Sequence, residues 1–240
     1  MPTRPFHNPY AVRAAVIALC AAALAVGCTN TRGRSPQPRL SSLVVPVVRQ
    51  PETPLAVTVE PARPEGMPVI LARSKWAETA PIKSRLSPMG KITRVTVHHE
   101  GMGVEEEASL DAVKESLCTI QKSHLNRLHA GDIGYHYIID CSGRIWEGRP
   151  IEYQGAHAGD SGLNRGNIGV VLMGNFNIQK PKPAQVASLR VLLNYLMATY
   201  DVGVSHLYTH GELKPTDCPG RYLQTEVDRF RGELRAVAKK

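Results

Sequence analysis

Nowhere in the 240 residues is there an apolar run long enough to cross a bilayer. The longest, "AAVIALCAAALAVG" at 14–27, falls well short of the roughly 20 residues that a membrane-spanning helix needs. Internal repeats are absent, which removes solenoid and propeller architectures. Cysteine is scarce, five in all, and a chain of this size buries a real core without disulfide staples. Acidic residues are missing before the apolar run, where Arg4 and Arg13 stand instead. Proline, by contrast, is plentiful at 18, which marks part of the chain as unstructured.

A basic start followed by a short apolar run reads as a secretory signal over residues 1–27. The run ends in "LAVGC", which resembles the lipobox of bacterial lipoproteins, with Ala25 where leucine is usual. That resemblance implies acylation of Cys28, a mature chain beginning there, and a lipid anchor on the periplasmic side of a membrane. Without acylation the same signal implies release. More than one acyl chain on one residue is enough for lasting attachment. Loss of 1–27 removes Arg4 and Arg13, so the formal charge falls from +8 to +6. A basic protein outside the cytoplasm meets anionic envelope polymers, and nucleic acid is not an expected partner. Three thiols then remain, Cys118, Cys141 and Cys218; their odd number leaves at least one unbridged, and Cys118 with Cys141 could form a disulfide.

From 29 to 68 the text is proline-rich, with short valine clusters and no sustained period, and reads as a tether. Residues 69–240 carry the folded domain. "ITRVTVHH" (92–99) alternates as a strand, and 110–128 places Val113, Leu117, Ile120, His124, Leu125 and Leu128 at helical spacing. "YHYIIDCSGRIWEG" (135–148) reads as a hairpin, and "NIGVVLMGNF" (167–176) as a strand buried on both faces. Two further helices are expected at 183–200 and 221–240, with a last short strand at 205–210. Such interleaving predicts a single α/β (α+β) domain, a central mixed sheet flanked by helices.

Soft or borderline metal ligands stand at the ends of two predicted strands and in the segment "HGELKPTDCPG" (210–220): His98 or His99, His210 and Cys218. Zinc accepts imidazole nitrogen and thiolate sulfur, and a catalytic site uses three protein ligands so that one position stays open. Alternation along the first strand puts His98 on the face of Arg94 and Thr96, and His99 with Val95 and Val97, so a polar cleft receives His98. Gly211 and Pro215 argue against helix between His210 and Cys218, leaving a loop that can double back. Taken singly, each residue has a plainer reading: a hydrogen-bonded histidine, or an inert buried thiol.

Five ordered blocks decide between these. "LARSKWAETAP", "VTVHHEG", "IQKSHLNRLHAGDIGYHYIIDCSGRIWEGRP", "GAHAGDSGLNRGNIGVVLMGNF" and "HGELKPTDCPG" resemble, in order over most of 70–225, the type-2 N-acetylmuramoyl-L-alanine amidases, a zinc-dependent family that includes the animal peptidoglycan recognition proteins. The resemblance implies Zn2+ held by His98, His210 and Cys218, and Tyr135 as catalytic tyrosine. Thr216 stands where a phage member carries lysine and the recognition proteins carry threonine, and is a second candidate catalytic residue. His157 and Asn164 are implied beside the muramyl-peptide groove. The implied activity is hydrolysis of the amide between N-acetylmuramic acid and L-alanine of peptidoglycan, by a chain acting as a monomer. The alternative is a non-catalytic binding module, though members that only recognise typically lack a ligand, often the cysteine. Related cytosolic amidases use aspartate where Cys218 stands. Glu100 departs from the family's usual threonine or serine and reads as a solvated acid, with acceptor to a zinc-bound histidine or proton carrier as other readings. The acidic stretch "GMGVEEEASLDAVKE" is longer than expected and bears on the groove rim.

Overall fold

The computed structural model describes residues 66–103 and 109–239, all within one compact unit, 59–240. The expected signal, the acylated Cys28, nearly all of the tether and residues 104–108 of the acidic rim segment lie outside the described residues. Among the described residues no helix is long and apolar enough to cross a membrane.

Six strands form one sheet in the order β1-β4-β3-β5-β2-β6. They are β1 (Ile70–Leu71), β2 (Arg94–His99), β3 (Tyr137–Ile139), β4 (Ile145–Glu147), β5 (Asn167–Leu172) and β6 (Leu207–Thr209). Only the β3–β4 hairpin is antiparallel; the other four pairings are parallel. Five α-helices accompany it: α1 (Leu110–Arg127), α2 (Ser161–Asn164), α3 (Pro183–Tyr200), α4 (His210–Leu213) and α5 (Arg221–Val237). The mixed sheet with flanking helices is the expected architecture.

Alternation within the strands divides the core in two. Val95, Val97, Ile139, Ile145, Ile168, Val170 and Leu172 point to one face, where Leu189, Leu192 and Leu193 of α3 and Leu223, Val227 and Phe230 of α5 cover them. Ile138, Trp146 and Val171 point the other way, onto Val113, Leu117 and Cys118 of α1. Burying each such aliphatic side chain contributes on the order of 2 kcal/mol. β5 is buried at all six positions, as its unbroken apolar text requires.

The expected boundaries are recognisable at the helix starts. Ser109 caps α1 by accepting from the Ala112 amide at 3.2 Å, and Pro183 opens α3. The apolar stripes overrun at their ends: Leu128 and Val237 are exposed. α4 corrects the expectation of a plain loop after His210. Glu212 reaches back to the Thr209 amide at 2.7 Å, closing one helical turn despite Gly211, and the turn ends before Pro215.

Asp140 sets the hairpin. Its fully buried carboxylate accepts from the Ser142 and Arg144 amides, from Arg144 Nε and from Trp146 Nε1 at 2.6 to 3.0 Å. Cys118 and Cys141 are both buried and unbridged, so the candidate disulfide is not formed; the Cys118 thiol donates instead to the Trp76 carbonyl at 3.0 Å. Replacing Asp140 with alanine strands the buried Trp146 indole N–H and removes the acceptor of the two hairpin amides and of Arg144 Nε. The expected result is a loss of roughly 3 kcal/mol of unfolding free energy. Urea denaturation followed by tryptophan fluorescence measures it, and an unchanged midpoint contradicts this role for Asp140.

Candidate metal centre

On the α1 side of the sheet the helix covers only β3, β4 and part of β5, and beyond it the same faces of β2 and β5 carry polar or minimal residues. These are Thr96 and His98 on β2, and Asn167 and Gly169 on β5. Thr96 and His98 are buried all the same, and Thr96 Oγ1 donates to Asn167 Oδ1 at 2.9 Å.

His98, His210 and Cys218 meet at the carboxyl ends of β2 and β6. One ligand atom from each lies within 4.8 Å of the other two. The His98 and His210 ring centroids are 4.6 Å apart, and Cys218 Sγ is 3.7 Å from His98 Nδ1. The strand alternation thus selects His98 over its neighbour, as expected from the pattern of β2. His99 faces the other way, accepts at Nδ1 from the Phe176 amide at 3.3 Å, and meets Cys218 Sγ through its backbone alone, the N–H at 3.4 Å and the carbonyl at 3.9 Å.

Electrostatics suit a cation. Burial and neighbouring histidines push His98 well below the usual imidazole range, and burial likewise lowers His210, so both are neutral donors at pH 7. Burial pushes the Cys218 thiol up to about 11. His210 Nε2 is buried without a hydrogen-bond partner, a costly state for an imidazole nitrogen that a metal ion relieves. Two imidazoles, one sulfur and one orphaned nitrogen fit zinc with three protein ligands.

What holds the turn carrying His210 was not legible in the sequence. Arg231 of α5, buried, donates to both oxygens of Glu212 at 2.8 and 3.0 Å and to the Leu207 carbonyl at 3.1 Å. This fork ties α5 to the last strand and to the ligand turn. A charged residue in an otherwise amphipathic helix reads as solvated until the partner is placed.

Tyr135, partly buried, sits beside the trio with its ring tilted to that of His98, the centroids 5.4 Å apart. Burial and the nearby Cys218 and Glu100 raise its pKa, so the phenol keeps its proton at neutral pH. Thr216 is exposed on the loop before Cys218, and its Oγ1 accepts from the Cys218 amide at 3.3 Å. Between Tyr135 and α1 a cavity of about 630 Å³ opens, lined by Glu100, Met102, Ile120, Ser123 and Arg127 among others. Glu100 is therefore not a plainly solvated acid: it is half-buried in that wall, and burial raises its pKa.

His157 and Asn164 are each 6% exposed. Asn164 Oδ1 accepts from the His157 and Ala158 amides at 3.0 and 2.9 Å, and its Nδ2 donates to the Asp160 carbonyl, so its amide is spent on shaping the loop. His157 lies beneath His98, with both ring nitrogens engaged within the protein. Both side chains thus bond within the protein, and Asn164 also lines a cavity of about 410 Å³ beside Arg149, Gln154 and Asp160.

A family model described as N-acetylmuramoyl-L-alanine amidase (Amidase_2) matches residues 88–221, more than half of the chain, and the chain belongs to that family. It is 32% identical over 133 residues to peptidoglycan-recognition protein SC1a of Drosophila melanogaster, covering 55% of this chain and 69% of that protein. With peptidoglycan-recognition protein 2 of Holotrichia diomphalia it shares 28% over 173 residues, 71% and 89% of the two chains. Among solved structures, Drosophila PGRP-LB superimposes with a TM-score of 0.59 at 25% identity, covering 68% of this chain and 94% of that one. The N-acetylmuramoyl-L-alanine amidase LysC from Clostridium intestinale gives 0.57 at 27%, covering 70% and 99%.

Neutral buried histidines make the metal-free fold sensitive to acid. Burial holds His136 at about 4 and His157 at about 3, both below the ordinary 6.5. The unfolded chain takes up these protons as the pH falls below 6.5, whereas the native chain resists until about 4 and 3. The unfolded state then binds more protons, so stability falls through this window by at most roughly 1.4 kcal/mol per pH unit for each histidine. Denaturation of the metal-free chain at pH 7, 6 and 5 should show the decline, and His136→Gln should flatten it. Constant stability down to pH 4.5 contradicts the assignment.

Proposed function

We propose that the chain is an exported zinc amidase that hydrolyses the amide between the lactyl group of N-acetylmuramic acid and L-alanine in peptidoglycan or muropeptides. The observation that carries this reading is the convergence of His98, His210 and Cys218 with a protonated phenol against the same histidine. Family membership and the likeness to a named amidase support it.

Zinc held by these three residues would polarise the amide carbonyl and lower the pKa of water toward neutrality. The rest is the work of the chain. Cys218 must give up its proton to serve as a ligand, whereas His98 and His210 are already neutral. Tyr135 offers its O–H to the carbonyl oxygen as negative charge gathers there. Thr216, exposed at the rim, is the second hydroxyl available for delivering a proton toward the departing alanine nitrogen. The cavity between Tyr135 and α1 takes the stem peptide, its length lying along the helix. Acylation at Cys28 would hold this monomeric domain at the envelope, its net positive charge favouring contact with acidic wall polymers.

The second reading, a module that binds peptidoglycan without cutting it, is favoured by the names of the curated relatives, which are recognition proteins. Incubation with muropeptides and mass analysis of the products separates the two. Expected is release of stem peptides that stops with a chelator and resumes with zinc, and that Cys218→Ser abolishes. Tyr135→Phe should lower kcat by about 100-fold or more, the usual effect of losing one oxyanion donor. Turnover that survives thorough zinc removal sinks the zinc mechanism, and tight binding without cleavage transfers the protein to the second reading.

Zinc uptake carries its own signature. Calorimetry in buffers of different ionisation enthalpy should show about one proton released per zinc near pH 7.5, that of Cys218. Release of none would mean that the thiol is not a ligand.

A further inference from the structure

Beneath the three candidate ligands runs a chain of contacts that fixes where the protons sit. The Asn167 carbonyl, buried in β5, lies 3.1 Å from His157 Nε2. A carbonyl only accepts, so Nε2 of His157 carries the hydrogen and its Nδ1 keeps a lone pair. That lone pair faces His98 Nε2 at 2.9 Å. His98 Nε2 must then be the donor, which leaves His98 Nδ1 bare. The bare nitrogen is the one 3.7 Å from Cys218 Sγ.

The surroundings keep space open for the His157 ring. A methyl group on Gly169 would come within 2.5 Å of the ring, and one on Gly155 within 2.4 Å. The two glycines therefore form a slot that only a side-chain-free backbone leaves open. Asn164 clamps the amides of His157 and Ala158, fixing the approach of the loop from below. His136, on the neighbouring strand approach, is kept apart by its own partners, accepting from the Gly169 amide and meeting the Tyr153 carbonyl.

We infer that His157 is a positioning residue: it holds His98 in the tautomer whose Nδ1 lone pair points toward His210 and Cys218. The inference rests on the zinc reading above for what that lone pair serves, and it goes beyond that reading by assigning a task to a residue outside the three candidate ligands. An imidazole free to place its proton on Nδ1 would present a donor where a cation needs an acceptor. Partners of this kind typically govern 10- to 100-fold in metal affinity.

Long-range proton–nitrogen NMR on the metal-free, histidine-labelled chain reads the tautomers directly. Expected is a proton on Nε2 of both His98 and His157, with Nδ1 of each unprotonated. A proton on Nδ1 of His98 overturns the proposal, whatever the chain does with metal. Competition for zinc against a chromophoric chelator gives the second readout. His157→Leu, which removes the acceptor, should weaken zinc binding by about 10- to 100-fold. His157→Gln, whose carbonyl can accept from His98 while its amide donates to Asn167, should restore most of it. Wild-type affinity in His157→Leu also overturns the proposal. Should the leucine variant fail to fold, the wild-type spectrum alone decides for or against it. A wild-type chain that shows the expected tautomers yet takes up no zinc would sink the amidase reading and leave the proton assignment standing.

Discussion

The organisation of the molecule follows from unequal cover on the two faces of one sheet. α3 and α5 close one face with apolar side chains, whereas α1 closes only part of the other. Where cover is missing, β2 and β5 turn polar on that face, and every polar group there must find a partner or stand ready for one. Thr96, Asn167 and His157 find theirs inside the protein. His210 Nε2 does not. The unsatisfied His210 nitrogen, set beside satisfied support, is the physical content of the site.

Much of this was legible because short-range periodicity and long-range packing agree. The alternation of "RVTVHH" assigns Val95 and Val97 to the core and His98 to the opposite face, and the structure follows it residue by residue. "NIGVVL" reads as a central strand and is one, since only burial on both sides tolerates so few polar atoms. The ordered blocks that resemble the amidase family fix the frame within which His98, His210 and Cys218 come together. β1 and α2 were not legible, being too short for a period to show and having no turn motif to mark them.

Other features escaped because they belong to pairs. Arg231 looks like one more surface cation until Glu212 stands opposite, and Glu212 becomes a brace only because its turn closes on Thr209. His157 carries the motif of a groove, and the motif gives no hint of the slot between Gly155 and Gly169 that receives its imidazole. A motif reports which residues a site requires. It does not say whether they face the ligand or stand behind the residues that do.

The sheet ends, among the described residues, in strands of only two and three residues, β1 and β6. An edge that short offers a passing copy of the same chain almost no ladder of free amides and carbonyls to zip onto. Crowding many such molecules onto one surface therefore carries little danger of edge-to-edge fibre growth. That brevity is a safeguard against self-association.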